Sequence, residues 1–131
     1  MNTAPTLEER KTAARTSLFK AVFPNTTNHY DTLFGGNALQ LMDEVAFIAA
    51  TRFCRKKVVT VSTGKIDFNH AIPAGTIIEL VGEVIRVGRT SLEIEVSIYV
   101  EEMYSEKRER AIRGNFTFVA VDEARRPISV L

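Results

Sequence analysis

Residues 28–55, NHYDTLFGGNALQLMDEVAFIAATRFCR, constrain the fold of this chain more than any other stretch. The stretch opens with a polar turn, passes through Gly35 and Gly36, and continues as a long run of mostly apolar or small residues. Placed about 100° apart, as in an α-helix, these residues leave only a narrow polar stripe. A helix that is apolar over most of its circumference is normally buried on nearly all sides. The rest of the chain is therefore expected to cover it.

Asp43 lies outside the polar stripe of this predicted helix. Its neighbours in projection are the apolar residues Leu39, Phe47, Ala50 and Cys54. A carboxylate in such a position is costly unless it is hydrogen-bonded or takes part in chemistry. We therefore interpret Asp43 as a functional residue, with a structural hydrogen bond to the preceding loop as the alternative.

The bulk properties indicate one ordinary globular domain. The chain has 131 residues, which is long enough to bury a core, and its net charge of +1 supplies no field that would draw it to nucleic acid or to a membrane. No apolar run reaches the length of a membrane span, and the N-terminus lacks the apolar segment of a secretory signal. The single cysteine, Cys54, excludes an internal disulfide and fits a reducing compartment, so we expect a cytoplasmic protein.

After the helix, the hydrophobic period changes to the two-residue repeat that is typical of β-strands. A glycine inside the first of these segments, Gly64, predicts a bulge, and Gly88-Arg89 predicts a tight hairpin turn. One antiparallel sheet with an apolar face needs a cover, and the long helix is the only candidate. The predicted segments are a tail or short helix over residues 1–14, strands over 15–23, 58–68, 76–87, 91–101 and 110–121, and a tail over 122–131.

Several short motifs taken together resemble the hotdog-fold acyl-CoA thioesterases, close to the YciA-like and brain-type acyl-CoA hydrolases. The resemblance covers about residues 15–123 and implies an α+β hotdog fold, in which a five- to six-stranded antiparallel sheet wraps around one long central helix as a single domain over residues 1–131. The matching elements are Asn28, Phe34-Gly35-Gly36, Met42-Asp43, Val58-Val59-Thr60, Asp67-Phe68, Val87-Gly88-Arg89-Thr90-Ser91 and Phe118-Val119-Ala120-Val121-Asp122.

This resemblance implies an enzyme that hydrolyses an acyl-CoA to free CoA and a carboxylic acid. In that reaction Asp43 acts as the general base for water or as the nucleophile, and Asn28 orients the water or the thioester carbonyl. The backbone N–H near Gly36 stabilises the oxyanion, and Thr60 supports the site from the second strand.

The same resemblance implies that the turn formed by Gly88, Arg89, Thr90 and Ser91 contacts the phosphates or pantetheine of CoA. We expect no cofactor, because CoA is part of the substrate and the product. We also expect no metal, since the two histidines lack the spacing of metal ligands.

Relatives in this family form dimers through edge strands, and these are often doubled or tripled into tetramers or hexamers. The resemblance therefore implies that Asn28 and Asp43 come from opposite subunits and that a homodimer is the minimal active unit. Two residues depart from the family pattern. Asp31 stands where many relatives carry Gly, and Asn37 stands where several carry a bulky aromatic.

Three alternatives to the thioesterase are retained. The first is a non-catalytic acyl-CoA-binding hotdog module. The second is a hotdog hydratase or dehydratase, although such sites generally pair an acid with a catalytic His and the central helix here contains none. In the third, Asp43 only satisfies loop amides and the protein is not an enzyme.

Overall fold

A computed structural model describes residues 3–131, so the first two residues of the predicted N-terminal tail lie outside the described part. All five strands form one antiparallel sheet in the order β1-β3-β4-β5-β2. Each strand lies within two residues of its predicted bounds. The elements are α1 (Leu7–Ala14), β1 (Thr16–Ala21), a 3-10 turn (Pro24–Thr26), α2 (Gly35–Cys54), β2 (Lys57–Phe68), β3 (Thr76–Val87), β4 (Ser91–Glu102) and β5 (Arg108–Val121).

The N-terminal segment forms a helix rather than a frayed tail. The Thr6 hydroxyl accepts a hydrogen bond from the backbone N–H of Glu9 at 3.1 Å, which caps α1. The Arg10 guanidinium donates to the carbonyl oxygen of Phe53 at 3.0 Å and lies over the Phe53 ring. These contacts attach α1 to the C-terminal end of α2.

The core lies between α2 and the concave face of the sheet, and α2 contacts all five strands. Alternation along the strands sends one set of side chains inward, as the two-residue period predicts. On β3, for example, Leu80 is buried, whereas Glu83 lies on the opposite face and is exposed. The strand residues that are almost fully buried in this core include Ile78, Leu80, Leu92, Ile94, Val96, Ile98, Phe116 and Phe118.

Two glycines let α2 approach the sheet closely. A Cβ on Gly82 would meet Val45 Cγ1 at 3.0 Å and the Val45 carbonyl oxygen at 3.4 Å. A Cβ on Gly114 would meet Met42 Cε of α2 at 3.2 Å and would also overlap the Ile66 side chain of β2. The face of α2 that packs against the sheet carries small side chains, including Ala46. The backbone of α2 therefore lies closer to the sheet than larger side chains at these positions would allow.

One stripe of α2 is not covered. Leu39 is 37% exposed and Phe47 is 47% exposed, and Asp43 lies between them, half-buried. We call Leu39, Asp43 and Phe47 the uncovered stripe. The prediction that α2 is buried on nearly all sides is therefore wrong for the single chain. The physical reason is that the sheet ends at β2, its edge strand, before it has closed around the helix.

The last ten residues pack onto the domain rather than trailing from it. Val130 is fully buried, and its N–H donates to the carbonyl oxygen of Arg89 at 3.0 Å. The N–H of Ile128 donates to the carbonyl oxygen of Ala120 at 2.8 Å. The segment predicted as a tail thus adds an ordered layer beside the β3–β4 turn.

This arrangement of one curled antiparallel sheet around one long helix is the hotdog architecture that the sequence resemblance implies. Neither α1 nor α2 has the combination of length and hydropathy that a membrane-crossing helix needs, in the part of the chain that is described.

Candidate active site

Asp43 and Thr60 meet at the boundary between α2 and β2. The Thr60 hydroxyl donates a hydrogen bond to Asp43 Oδ1 at 3.2 Å. The pairing of β2 with β5 shifts register directly after Thr60, so Val61 is the extra residue of a bulge. A second shift follows Thr63 and includes Gly64, at the predicted bulge. The structure therefore brings together two residues that the sequence assigned to one site.

The Asp43 carboxylate is held by one oxygen only. Its Oδ2 has no hydrogen-bond or ion-pair partner within residues 3–131. The flanking residues on the helix surface, Leu39 and Phe47, are apolar and exposed. A carboxylate with one oxygen oriented by a hydroxyl and the other oxygen free can accept a proton from a bound water.

Asn28 lies in the loop before α2, and its side-chain oxygen is already occupied. Asn28 Oδ1 accepts hydrogen bonds from the backbone N–H groups of Tyr30 at 2.9 Å and Thr32 at 3.3 Å, and from the Thr32 hydroxyl. Backbone N–H groups only donate, so they fix which side-chain atom is the oxygen. The free group of Asn28 is its amide NH₂. Asn28 can therefore donate a hydrogen bond to a carbonyl or a water but has little capacity to accept one.

Gly36 lies in the first turn of α2, where backbone N–H groups have no acceptor inside the helix. The residue is exposed, and its N–H has no partner in the described chain. Gly36 and Asp43 share a face of the helix. Seven residues at about 1.5 Å each separate them by roughly 10 Å along the axis. Within one chain this N–H and this carboxylate are too far apart to act on the same carbonyl group.

The predicted CoA-binding turn joins β3 to β4. The N–H of Gly88 donates to the carbonyl oxygen of Ser91 at 2.8 Å, and the carbonyl oxygen of Thr90 accepts from Ala120 at 2.9 Å. The Arg89 side chain is exposed.

The turn lies at the same end of the sheet as Thr60. The register aligns Leu92, which follows the turn, with Phe118 of β5 and then with Thr60 of β2. Two strand spacings put Thr60 about 10 Å from the start of β4.

The two departures from the family pattern have structural explanations. Asp31 has a φ of 59°, in the left-handed region that favours Gly and that Asp tolerates better than most residues. The Asn37 amide donates to the carbonyl oxygen of Thr26 at 3.5 Å. Asn37 lines a cavity of about 190 Å³ together with Gln40 and Glu44, so it lies on a different side of α2 from Asp43.

Sequence reasoning missed a cleft of about 520 Å³ that opens beside Phe47. Its walls include Thr51 and three consecutive basic residues that follow the helix, Arg55, Lys56 and Lys57. This basic run is the signal in the sequence that could have indicated the cleft.

Comparisons with known proteins agree on one family. Residues 30–107 match the family profile described as the thioesterase superfamily. The uncharacterized acyl-CoA thioester hydrolase YkhA of Bacillus subtilis is 38% identical over 109 residues, which cover 83% of this chain and 63% of that protein. The present chain thus spans less than two thirds of the length of this relative.

Solved structures agree as well. The acyl-CoA hydrolase of Staphylococcus aureus, in complex with butyryl coenzyme A, coenzyme A and coenzyme A disulfide, is 34% identical with a TM-score of 0.87, over 91% of this chain and 73% of that one. Other structures of that hydrolase carry the substitutions Asn28Ala, Asp43Ala and Thr60Ala. An apo hexameric acyl-CoA thioesterase is 34% identical with a TM-score of 0.88, over 91% of this chain and 76% of that one.

The matched profile covers more than half of the chain, and the solved relatives share its fold at about one third identity. These findings confirm the hotdog fold. The protein belongs to the thioesterase superfamily.

Proposed function

We propose that this protein is an acyl-CoA thioesterase, which hydrolyses an acyl-CoA to free CoA and a carboxylic acid. The observation that carries the proposal is the Asp43 carboxylate, oriented by Thr60 at 3.2 Å and presented on an apolar, uncovered stripe. The names of the relatives support the substrate class. The S. aureus hydrolase was substituted at Asn28, Asp43 and Thr60, residue types and numbers that this chain shares, which supports the choice of site.

In the proposed reaction, Asp43 removes a proton from a water molecule while the water oxygen adds to the thioester carbonyl carbon. The negative charge on the carbonyl oxygen is stabilised by the Gly36 N–H and the amide NH₂ of Asn28, both supplied by a second subunit, as proposed below. The C–S bond then breaks, and the proton held by Asp43 passes to the leaving thiolate of CoA. No cofactor takes part. The Gly88, Arg89, Thr90 and Ser91 turn holds the CoA portion of the substrate.

The alternative role of Asp43 is that of nucleophile. It is distinguished by a single turnover in ¹⁸O-labelled water with enzyme in excess over substrate. If Asp43 activates water, the label enters the released acid. If Asp43 attacks the carbonyl, the first product acid is unlabelled and the label appears in the Asp43 side chain.

The main test is thiol release from a panel of acyl-CoA esters that differ in chain length, followed with a thiol reagent. The expected result is turnover with at least one ester. Binding of the esters by calorimetry without any turnover would contradict the proposal and favour the acyl-CoA-binding module. Addition of water to an enoyl-CoA without thiol release would instead favour the hydratase.

We further propose that the active unit is a homodimer in which Asn28 of one subunit works with Asp43 of the other. Two observations support this. Asn28 and Asp43 share no hydrogen bond in the described residues, and Gly36 lies about 10 Å from Asp43 along the same helix. The hexamer formed by a relative is compatible with dimers as building blocks.

Mixing two inactive variants tests this arrangement. In a mixed dimer of Asn28→Ala and Asp43→Asn chains, one site receives both substitutions and the other site receives neither. If half of the dimers are mixed, about a quarter of the wild-type turnover is expected to return. If both residues of a site come from one chain, every site stays defective and mixing restores nothing. Each variant unfolded and refolded alone is the control.

We also propose a cytoplasmic location, for which the evidence is the single cysteine, buried and unpaired. Fractionation of the source cells tests it, and recovery of the protein outside the cytoplasmic fraction would contradict it.

A further inference from the structure

The cleft beside Phe47 begins next to the candidate active site. Phe47 follows Asp43 by one helical turn on the same face, and Val58 precedes Thr60 by two residues on the same face of β2. The cleft then runs along α2 past Thr51 to Arg55, one residue beyond the end of the helix. It therefore leads from Phe47, one helical turn beyond Asp43, to the C-terminal end of α2.

The far end of the cleft is basic. Arg55, Lys56, Lys57 and Arg125 line it, against the two carboxylates Asp122 and Glu123. Asp122 is engaged, because it accepts from the N–H groups of Ala124 at 2.8 Å and Arg126 at 2.9 Å and pairs with the Arg126 side chain.

Lys56 donates to the carbonyl oxygens of Ser129 and Leu131, so it is also occupied. Lys57 pairs with Glu123 at 2.8 Å, but both side chains are exposed, and such pairs exchange easily with other ions.

Arg55 and Arg125 remain as the cations that are available to a ligand. Neither side chain has a hydrogen bond or an ion pair within residues 3–131, and both are exposed. Both residues also have a positive φ, 54° for Arg55 and 62° for Arg125. Glycine would occupy such positions at lower conformational cost, so these two arginines are not explained by backbone preference.

The distance along α2 from Asp43 to Arg55 matches the length of a CoA thioester. Asp43 and Arg55 are twelve residues apart, which is about 18 Å along a helix. Thirteen covalent bonds separate the sulfur of CoA from the nearer phosphorus of its diphosphate. At the rise of an extended polypeptide, about 1.2 Å for each backbone bond, they span roughly 15 Å. A thioester whose carbonyl group lies at Asp43 can therefore reach Arg55 with its diphosphate.

Thr51, halfway along this path, has an unsatisfied hydroxyl. Its Oγ1 is buried and lacks a hydrogen-bond partner in the described residues. Thr51 lines the cleft, and a threonine on a helix can adopt two χ1 rotamers. The pantetheine arm carries two amides, which can supply the missing partner.

We propose that this cleft is the path of the pantetheine arm and that Arg55 and Arg125 bind the phosphates of the CoA substrate, with Lys57 as an auxiliary cation. This inference rests on the proposed thioesterase function. It adds a phosphate subsite at the C-terminal end of α2 to the Gly88, Arg89, Thr90 and Ser91 turn. Guanidinium groups suit this role because they bind phosphate oxygens through two parallel hydrogen bonds.

The test compares three substrates with the same acyl group: acyl-CoA, acyl-dephospho-CoA, which lacks the 3′-phosphate, and acyl-pantetheine, which has no phosphate. The variants are Arg55→Gly, Arg125→Gly and the double variant. Glycine removes the cation and also suits the left-handed backbone, so folding is retained. For each single variant, KM for acyl-CoA is expected to rise about five-fold, and for the double variant more than ten-fold, while KM for acyl-pantetheine changes less than two-fold.

Two controls separate a local contact from general charge effects. Arg55→Lys keeps the charge but cannot make two parallel hydrogen bonds, so its KM for acyl-CoA is expected to lie between those of the wild type and Arg55→Gly. Arg113→Ala removes an exposed arginine from β5, eight residues or about 27 Å along the strand from Val121, and is expected to leave every KM unchanged. Acyl-dephospho-CoA shows which phosphate group the arginines bind. If its KM responds to the substitutions as that of acyl-pantetheine does, they bind the 3′-phosphate. If its KM responds as that of acyl-CoA does, they bind the diphosphate.

Unchanged KM values for acyl-CoA in the double variant would overturn the inference while the thioesterase function stands. Equal increases for acyl-CoA and acyl-pantetheine would also overturn it, because they indicate a general disturbance of the site. If the wild type hydrolyses none of the three substrates, the proposed function fails. Calorimetric binding of free CoA to the wild type and the double variant then tests the subsite alone, with a loss of more than ten-fold in affinity as the supporting result and equal affinity as the contrary one.

Discussion

The helix α2 has two apolar faces that do different things. On the covered face, Val45 and Ala49 pack against the sheet at Gly82, and all of their surface is buried. On the uncovered stripe, Leu39 and Phe47 remain partly exposed beside Asp43. The two faces look alike in sequence, since both are mostly apolar. The covered face holds the fold together, whereas the uncovered stripe is the surface at which we propose that substrate and a second subunit bind.

Residues on the two faces contribute differently to the stability of the single chain. Burial of a large aliphatic side chain contributes about 1.5–3 kcal/mol to folding. The exposed apolar area of the uncovered stripe contributes less to the monomer and lies next to an unpaired strand edge, which is the usual signature of an interaction surface. Substitutions on the covered face should therefore lower stability, and those on the uncovered stripe should lower activity or assembly.

The largest expected effect is that of Asp43→Asn. The amide keeps the shape of the side chain but cannot take a proton from water, so kcat should fall by a factor of about 10³. The free energy of unfolding should change by less than about 0.5 kcal/mol, because the position is only half-buried. Thiol release and denaturant unfolding of the same preparation measure the two quantities. Near wild-type turnover would remove Asp43 from the mechanism.

The next effect is that of a charge on the uncovered stripe, Leu39→Glu. An unpaired carboxylate buried between two subunits should weaken the dimer by about 3 kcal/mol, or roughly a hundred-fold in dissociation constant. Turnover should fall with the dimer fraction while circular dichroism shows an intact fold. Sedimentation at a series of concentrations measures the assembly.

Leu18→Glu is the matched control for that variant, because Leu18 is 39% exposed and lies on the opposite edge strand, β1. It should leave the dimer intact. Equal dissociation of both variants would show that the uncovered stripe has no special part in the interface.

On the covered face, Gly82→Ala should lower the free energy of unfolding without changing turnover. The new Cβ meets Val45 Cγ1 at 3.0 Å and the helix backbone at 3.4 Å, so Val45 must move by a few tenths of an ångström. Overpacking of this kind costs about 1–3 kcal/mol. Gly64→Ala is the control, since its nearest contact is an ordinary 3.5 Å to Asn115. A Gly82→Ala protein as stable as the Gly64→Ala protein would mean that the helix is not held as closely as described.

The smallest expected effect is that of Glu79→Gln on stability. Glu79 lies on the convex face of the sheet, which is remote from both faces of α2. The Ser17 hydroxyl and the Arg108 guanidinium donate hydrogen bonds to Glu79, and the Ser17 bond in particular lowers the pKa of Glu79 below its ordinary value of 4.5. Stabilisation from this carboxylate is therefore present above pH 4.5 and is lost as the pH falls through the lowered pKa. Glu79→Gln should cost up to about 1 kcal/mol at pH 7.

Chemical unfolding of the wild type and Glu79→Gln between pH 3 and pH 7 measures this contribution. The difference between the two proteins should shrink as the pH falls towards 3, and turnover at pH 7 should be the same. A difference that persists at low pH would assign the contribution to something other than ionised Glu79.

Much of this fold could be predicted from the sequence because its signals are local. Strict alternation, for example, identified the strand that the structure shows as β4 (Ser91–Glu102). The pairing of Asp43 with Thr60, which the structure places in hydrogen-bond contact, came from the family resemblance rather than from spacing.

What the sequence could not supply depends on contacts between distant segments. Whether α2 is covered on every side depends on how far five strands curl, and no single segment encodes that curl. The packing of Val130 against the backbone of Arg89 joins residues about forty positions apart in the chain. The basic cleft needs Arg55 and Arg125 together, and they meet only because β2 and β5 are paired.

The bulges of β2 also bear on how this protein avoids aggregation. An exposed strand edge is a template on which foreign chains can extend a sheet without limit. The register of the β2–β5 pairing shifts twice along β2, after Thr60 and after Thr63. A regular strand from an unfolded neighbouring molecule can pair with such an edge over only a few residues, because the register of its hydrogen bonds is lost at each bulge. The register shift that follows Thr60, beside its hydrogen bond to Asp43, thus also makes this edge a poor template for added strands.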